Sequence, residues 1–382
     1  MKKQRLVSAA EAMKEQGLDA VVFGIGANFQ YLLECNDYYW QRSMMTNISG
    51  RSSAYLHPEV LLYMDKDREY TVITNGHNAE YFTSRYPGHV IVSYMDQFED
   101  AIAPLIGPGR IGVGISSQEY ITEMLKAVDP QLEVVFAEDL LKDIRCIKDA
   151  DEIEALRKVA AFTDEAVMHV VKNLKEGITQ REAENMIIQY GLDHGIEDLS
   201  FPPTIGFKTQ GTITTDTVDY YDRNWKLQPN TGIAFDIGYM NGGYCSDWGR
   251  SLYFGKAPQF VKDAYSALQA GQQFMVQSIK PYETNNSELY GFVLQKVTEL
   301  GFSDVLRFKE MQMLGHQIGI DCHEFPMVNK ASDFVMKPGM VFASEPKMWI
   351  QDEMYMRVED IILVTEDGAE FLTNFPRDMF EI

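Results

Sequence analysis

The chain has 382 residues, with 34 Lys and Arg against 56 Asp and Glu, for a formal net charge of −22. Hydrophobic residues make up 45% and charged residues 24%, which excludes a disordered chain. The acidic excess argues against a broad nucleic-acid surface or an anionic membrane surface, since both need a basic face. The length predicts two or three domains.

No stretch approaches the ~20 consecutive apolar residues of a membrane span. The amino terminus, MKKQRLVSAAEAMKEQG, starts basic but has no continuous apolar run. Leu6, Ala9, Ala10 and Met13 recur at helical spacing, so a surface helix is expected over 4–16, and no signal peptide. Cys35, Cys146, Cys245 and Cys322 form no CxxC pair, and a reducing cytoplasm is the expected compartment. Apolar runs at Ala20–Gly24, Ser53–Leu56, Leu61–Met64, Tyr70–Thr74 and Arg110–Ile115 read as strands. Residues 96–106 and 117–128 read as helices, which makes the first part an α/β pattern. The segment FGIGANF at 23–29 lacks the third glycine of a dinucleotide loop and reads as a turn. A charged entry, KDIRCIKDADEIEALRK, leads into a long helix capped by Asp149 or Asp151. The expected division is therefore 1–145 and 146–382.

The stretch TGIAFDIGYMNGGYCSDWGRSLYFG, 231–255, predicts a hairpin. Its strands are Gly232–Gly238 and Asp247–Phe254, and Asn241-Gly242 is the expected two-residue turn. That register puts Asp236 directly opposite Asp247, on one face. Two buried carboxylates at such range repel and need a proton or a cation. A second hairpin is expected in MVFASEPKMWIQDEMYMRVEDIILV, 340–364, where Glu345 and Glu359 are equidistant from Asp352 and can face each other. Both acids follow apolar strand residues, where unpaired carboxylates are rare. Between the hairpins, MLGHQIGIDCHEFP carries His316 and His323. Two Asp, two Glu and one His make an oxygen-rich set suited to a pair of divalent ions such as Mn, Fe, Co or Zn. A water between two such ions loses a proton near neutral pH and becomes a nucleophile.

On these residues the chain resembles the pita-bread metallohydrolases, the superfamily of aminopeptidase P, prolidase, methionine aminopeptidase and creatinase. The likeness covers 150–382 and extends, by arrangement, to a creatinase-type amino-terminal domain. It implies an α+β fold, with a carboxy-terminal pita-bread domain and a smaller α/β domain before it. It also implies that Asp236 (D-x-G), Asp247 (G-Y-x-S-D), His316 (G-H-x-x-G), Glu345 (E-P) and Glu359 (R-x-E-D) ligate two metals. By the same likeness His323 contacts substrate and stabilises the oxyanion, Glu345 carries the proton, and Arg357 orients or supports charge. One departure stands out. The family's peptidases usually carry a histidine upstream of the first Asp; here Asp219 or Tyr220 occupies that place.

Three readings follow. In the first, the protein is a dinuclear metal-dependent hydrolase that cleaves a short peptide, as Xaa-Pro aminopeptidases and dipeptidases do. In the second, the missing histidine marks a hydrolase or lyase acting on a small zwitterion, creatine-like or sulfonium- and betaine-like. Tyr220, Tyr221 and Trp225, with Tyr38, Tyr39, Trp40 and Arg42, would then wall the pocket, or else simply pack. By family likeness the amino-terminal domain reaches a partner's pocket, so a homodimer is expected, with Asp219, Tyr220, Trp40 and Arg42 as substrate-binding candidates. The third reading, a non-catalytic binding protein, conflicts with five retained ligands. No nucleic-acid or membrane partner is expected.

Overall fold

A computed structural model describes residues 3–38, 58–93, 97–196, 198–211, 223–350 and 353–382. The expected strand Ser53–Leu56 and the candidates Trp40, Arg42, Asp219 and Tyr220 lie outside these residues. The chain divides into two compact units, Met1–Arg145 and Cys146–Ile382.

The first unit is a six-stranded mixed sheet with helices α1 (Lys3–Glu15), α2 (Ala27–Leu33), α3 (Ala79–Arg85), α4 (Phe98–Ile102), α5 (Gln118–Val128) and α6 (Lys142–Cys146). Its strands are β1 (Ala20–Gly24), β2 (Val60–Asp65), β3 (Tyr70–Thr74), β4 (Val90–Val92), β5 (Arg110–Val113) and β6 (Glu133–Phe136), in spatial order β4-β3-β2-β1-β5-β6. β1 is buried along its whole length, as its unbroken apolar run demands of a central strand. FGIGANF is the end of β1 and the start of α2. The helix expected over 96–106 stops at Ile102, because Pro104 has no N–H to extend it.

The second unit opens with α7 (Ala150–Asn173). Asp149 caps it, accepting from the N–H groups of Asp151 and Glu152, while the Glu152 carboxylate accepts from the Asp149 N–H. α8 (Gln180–Asp193), α9 (Gln259–Ser278) and α10 (Leu289–Glu299) complete the helices. A small sheet holds β7 (Asp198–Leu199), β10 (Tyr239–Asn241) and β11 (Tyr244–Cys245). The large sheet is built from β8 (Thr204–Thr209), β9 (Thr231–Ile237), β12 (Trp248–Phe254), β13 (Gly315–Gln317), β14 (Glu324–Val328), β15 (Val341–Ser344), β16 (Lys347–Ile350), β17 (Met354–Val364) and β18 (Ala369–Phe371). Its main path runs β14-β13-β15-β17-β12-β9-β8, with β16 and β18 also pairing to β17.

Strand alternation decides what faces the helices. Ile233, Phe235 and Ile237 of β9, with Trp248 and Leu252 of β12, join the α7–α8 core. Met354, Met356, Val358, Ile362 and Val364 of β17 join the α9–α10 core. The intervening residues, Asp236, Gly249, Arg357 and Glu359 among them, point to the other face of the sheet. Among the described residues, no helix is long and apolar enough to cross a membrane.

The first hairpin departs from its expected register. Asn241 pairs with Tyr244, so the turn is Gly242-Gly243 and not Asn241-Gly242. Both glycines have positive φ, 61° and 76°, the geometry of a primed hairpin turn, and a Gly-Gly pair meets that demand without side-chain strain. Asp236 therefore lies opposite Gly249 and not opposite Asp247. The second hairpin has the expected register: Lys347 pairs with Arg357 and Ser344 with Asp360, which brackets Glu345 and Glu359 as opposed positions.

Candidate metal centre

Asp236 in β9, Gly249 in β12 and Glu359 in β17 form one lateral row across three strands. Asp247 lies two residues before Gly249, so it shares this face and stands diagonal to Asp236. The register difference moved the direct partner by two positions, and an even shift preserves the face. Gly249 is the vacant step in the row. A Cβ there would lie 2.7 Å from Glu359 Oε2 and closer still to Arg357 Cδ. Without a side chain at 249, the Glu359 carboxylate and the Arg357 stem lie over the β12 backbone. Beneath them, buried Arg250 donates to the carbonyls of Gly249 and Glu359 and pairs with Asp360, which pins this seam.

Glu345 sits between β15 and β16, its N–H donating to Leu314 O at 2.7 Å. His316 in β13 lies beside Ala343 of β15. The ligand atoms fall into three overlapping groups: Asp236, Asp247 and Glu359; His316, Glu345 and Glu359; and Asp247, His316 and His323. Within each group the atoms lie within 4.8 Å of one another. The four acids and His316 singled out from sequence are thus brought together, with His323 beside them. The His323 ring centroid is 4.1 Å from that of His316.

The electrostatics are those of crowded charge. Burial pushes the Glu359 carboxyl well above its ordinary value, and the neighbouring charges of Asp247 and Glu345 push it further. Burial also raises Asp236, against the pull of Arg357. For Asp247 burial acts upward, but the hydrogen bond and charge of His316 outweigh it and hold the carboxyl low. His316 is correspondingly raised, with Asp247 outweighing burial, while burial and the neighbouring His316 lower His323. His316 Nδ1 lies 3.0 Å from Gln317 O, where it can donate. That leaves Nε2, 3.3 Å from Asp247 Oδ2, facing a second acceptor. Two acceptors so placed need a proton or a cation between them. A backbone carbonyl on the far nitrogen is also how metal-binding histidines are oriented. Among the described residues, buried Asp247 Oδ1 has no hydrogen-bond partner.

Two neighbours of this cluster carried no sequence signal of their own. Lys347 Nζ pairs with Glu345, and buried Cys322 donates its thiol to Asp247 Oδ2 at 3.2 Å. Both stand next to candidate ligands in the chain or in a ligand loop, and that adjacency was the available clue. Arg357 spans the acids, pairing with Asp236, with Glu359 at 3.2 Å and with Glu345 at 3.9 Å. The aromatic candidates that are described pack against protein. Tyr38 lies 5.0 Å from the rings of Tyr81 and Phe82, and Trp225 packs on the α7–α8 core and donates to Thr209.

The profile of metallopeptidase family M24 matches residues 154–366, more than half of the chain. The chain belongs to this family. An uncharacterized peptidase of Staphylococcus epidermidis is 31% identical over 237 residues, and one of Staphylococcus aureus is 30% identical over the same length. Each match takes in 62% of this chain and spans 65% of the relative's own length. Among solved structures, a prolidase from Thermococcus sibiricus superimposes with a TM-score of 0.82 at 21% identity, covering 100% of this chain and 99% of that one. A Xaa-Pro dipeptidase from Bacillus anthracis gives 0.80 at 21% identity, with the same coverage. The M24 pita-bread fold expected from the sequence is therefore the fold observed, with the smaller α/β unit before it.

Proposed function

We propose that the protein is a dinuclear metal-dependent hydrolase that cleaves the amide bond of a short peptide, with Xaa-Pro dipeptides as the first substrates to test. The observation that carries this reading is the convergence of Asp236, Asp247, His316, Glu345 and Glu359 in overlapping groups of three, with the ligand atoms of each group within 4.8 Å of one another. Membership of a metallopeptidase family and the fold shared with prolidases support it. The donor set fits a pair of hard or borderline divalent ions, Mn, Zn, Fe or Co. Asp247 Oδ1, without a hydrogen-bond partner among the described residues, and the facing acceptors of Asp247 and His316 fit the same group. Bound there, such ions would supply Lewis acidity and a water acidic enough to ionise near neutral pH.

The chain's own residues then have distinct roles. His323, exposed beside the cluster, donates a hydrogen bond to the oxygen that gains charge as the carbonyl carbon becomes tetrahedral. Glu345 accepts a proton and returns it to the leaving nitrogen. Arg357 holds Asp236 and Glu359 in register and offsets their charge. A cytoplasmic homodimer completes the proposal. The missing upstream histidine keeps the zwitterion reading as the alternative outcome. The test is a panel of Xaa-Pro dipeptides and betaine-like compounds with added Mn or Zn. Release of free amino acids supports the peptidase; turnover confined to the small zwitterions replaces it.

A further inference from the structure

We propose that Lys148 is a positioning residue, which acts through Glu324 to fix the loop carrying His323 and so aims that imidazole without touching substrate. This rests on the oxyanion role proposed above for His323. Lys148 and Glu324 form an ion pair at 3.2 Å whose side chains are 1% and 5% exposed. Such a pair is a costly way to gain stability, because desolvation offsets much of the attraction. What it supplies is a fixed geometry, and the surroundings indicate what is being fixed.

Lys148 is held from both sides. Its N–H donates to Gly339 O at 2.8 Å, and the next residue, Asp149, is the cap of α7. Its ammonium therefore projects from a rigid point. Glu324 opens β14, immediately after His323. Its Oε1 accepts from the Asp321 N–H at 3.3 Å, and Gly319 packs so closely that a Cβ there would lie 2.8 Å from both carboxylate oxygens. The loop 318–323 is thus wrapped around the Glu324 carboxylate. Its other anchors reach the cage: Gly319 O accepts from the Cys245 N–H at 2.8 Å, and Cys322 donates to Asp247. Lys148 orients Glu324, Glu324 orders the loop, and the loop ends on the ring whose centroid lies 4.1 Å from that of His316. Asp236, Glu345 and Glu359 take no part in these contacts, and Asp247 meets the loop through the Cys322 thiol.

That separation makes the role testable. With Mn-loaded protein and Ala-Pro as probe, Lys148→Met should lower kcat by about 10²-fold, the scale of an ångström-level misplacement, with KM and bound Mn close to wild type. A double-mutant cycle with His323→Ala distinguishes aim from general damage. In the His323→Ala background, Lys148→Met should cost little further, since there is no imidazole left to aim. Read without substrate, the ring-nitrogen signals of His323 should move in Lys148→Met while those of His194, which stacks on Tyr190 of α8, stay in place. If the single variant does not fold, Lys148→Met/Glu324→Met, which buries no charge, should fold, keep its Mn and show the same loss of kcat. An unchanged kcat, or full additivity with His323→Ala, overturns the role of Lys148. An unchanged kcat in His323→Ala alone overturns the underlying reading instead, and the ring-nitrogen signals then decide the positioning claim independently.

Discussion

The two acidic hairpins reach the same result by different geometry. In the hairpin of β16 and β17, Glu345 and Glu359 occupy opposed positions, bracketed by the Lys347–Arg357 and Ser344–Asp360 pairs. In the hairpin of β9 and β12, Asp236 and Asp247 are diagonal, and the position opposite Asp236 belongs to Gly249. The comparison teaches that shared face, more than direct opposition, is what a metal cage needs from a sheet. It also explains the glycine at 249, since direct opposition of two aspartates would have filled the space that Glu359 and Arg357 now use.

Gly249→Ala should give the largest effect. The new Cβ collides with Glu359 Oε2 and with Arg357, and both belong to the cage. Bound metal and hydrolysis should fall together, by about 10²-fold or more in rate, on the scale of a misplaced reacting group. Equilibrium dialysis beside a rate assay measures both, and a variant with full metal content would remove the distinction between the hairpins.

Asp247→Ala should come next. It deletes a candidate ligand shared by two of the three groups and takes away the acceptor used by His316 and Cys322. Metal content and turnover should collapse in parallel; unchanged turnover contradicts the diagonal assignment.

A pH dependence separates the cage from the rest of the fold. The Glu359 carboxyl is raised above its ordinary 4.5, so the folded protein binds more protons than the unfolded chain. Its contribution to stability is full below 4.5 and is lost as pH rises through the raised value. Asp236, raised from 3.8, and His316, raised from 6.5, act in the same direction. Asp247, held below 3.8, loses its contribution only as pH falls through that lower value. Cations require these groups deprotonated, so the rise in Tm on adding Mn should grow from about pH 5 to about pH 8. A shift that is flat or shrinks over that range would tell against the cage.

The smallest effect belongs to the turn. Gly242→Ala places a Cβ at φ 61°, costing about 1 kcal/mol by general αL strain. Calorimetry should show a slightly lower Tm with unchanged metal content. A loss of metal would mean that the turn, and not strand parity, sets the cage.

Much of the site was legible because alternation survives a register error. Asn-Gly is a strong turn signal, yet Gly242-Gly243 satisfies positive φ at both central positions, and local sequence could not rank the two. The error cost nothing at Asp236 and Asp247, since the face is conserved under an even shift. What sequence could not supply was the approach of distant chain segments: the Cys322 thiol on Asp247, and Lys148 on Glu324. Helix limits were legible where a cap is local, as at Asp149, and misjudged where Pro104 ended α4. Tyr38 and Trp225 could be read as pocket walls or as packing, because aromatic clusters in sequence read alike whether they line a pocket or fill a core.

The most direct test of the central claim is the metal content of the wild-type protein, loaded with Mn or Zn, dialysed and measured by inductively coupled plasma mass spectrometry. About two ions should be retained per chain, as expected of a two-metal hydrolytic site. Protein that retains none after loading, while remaining folded, would contradict it.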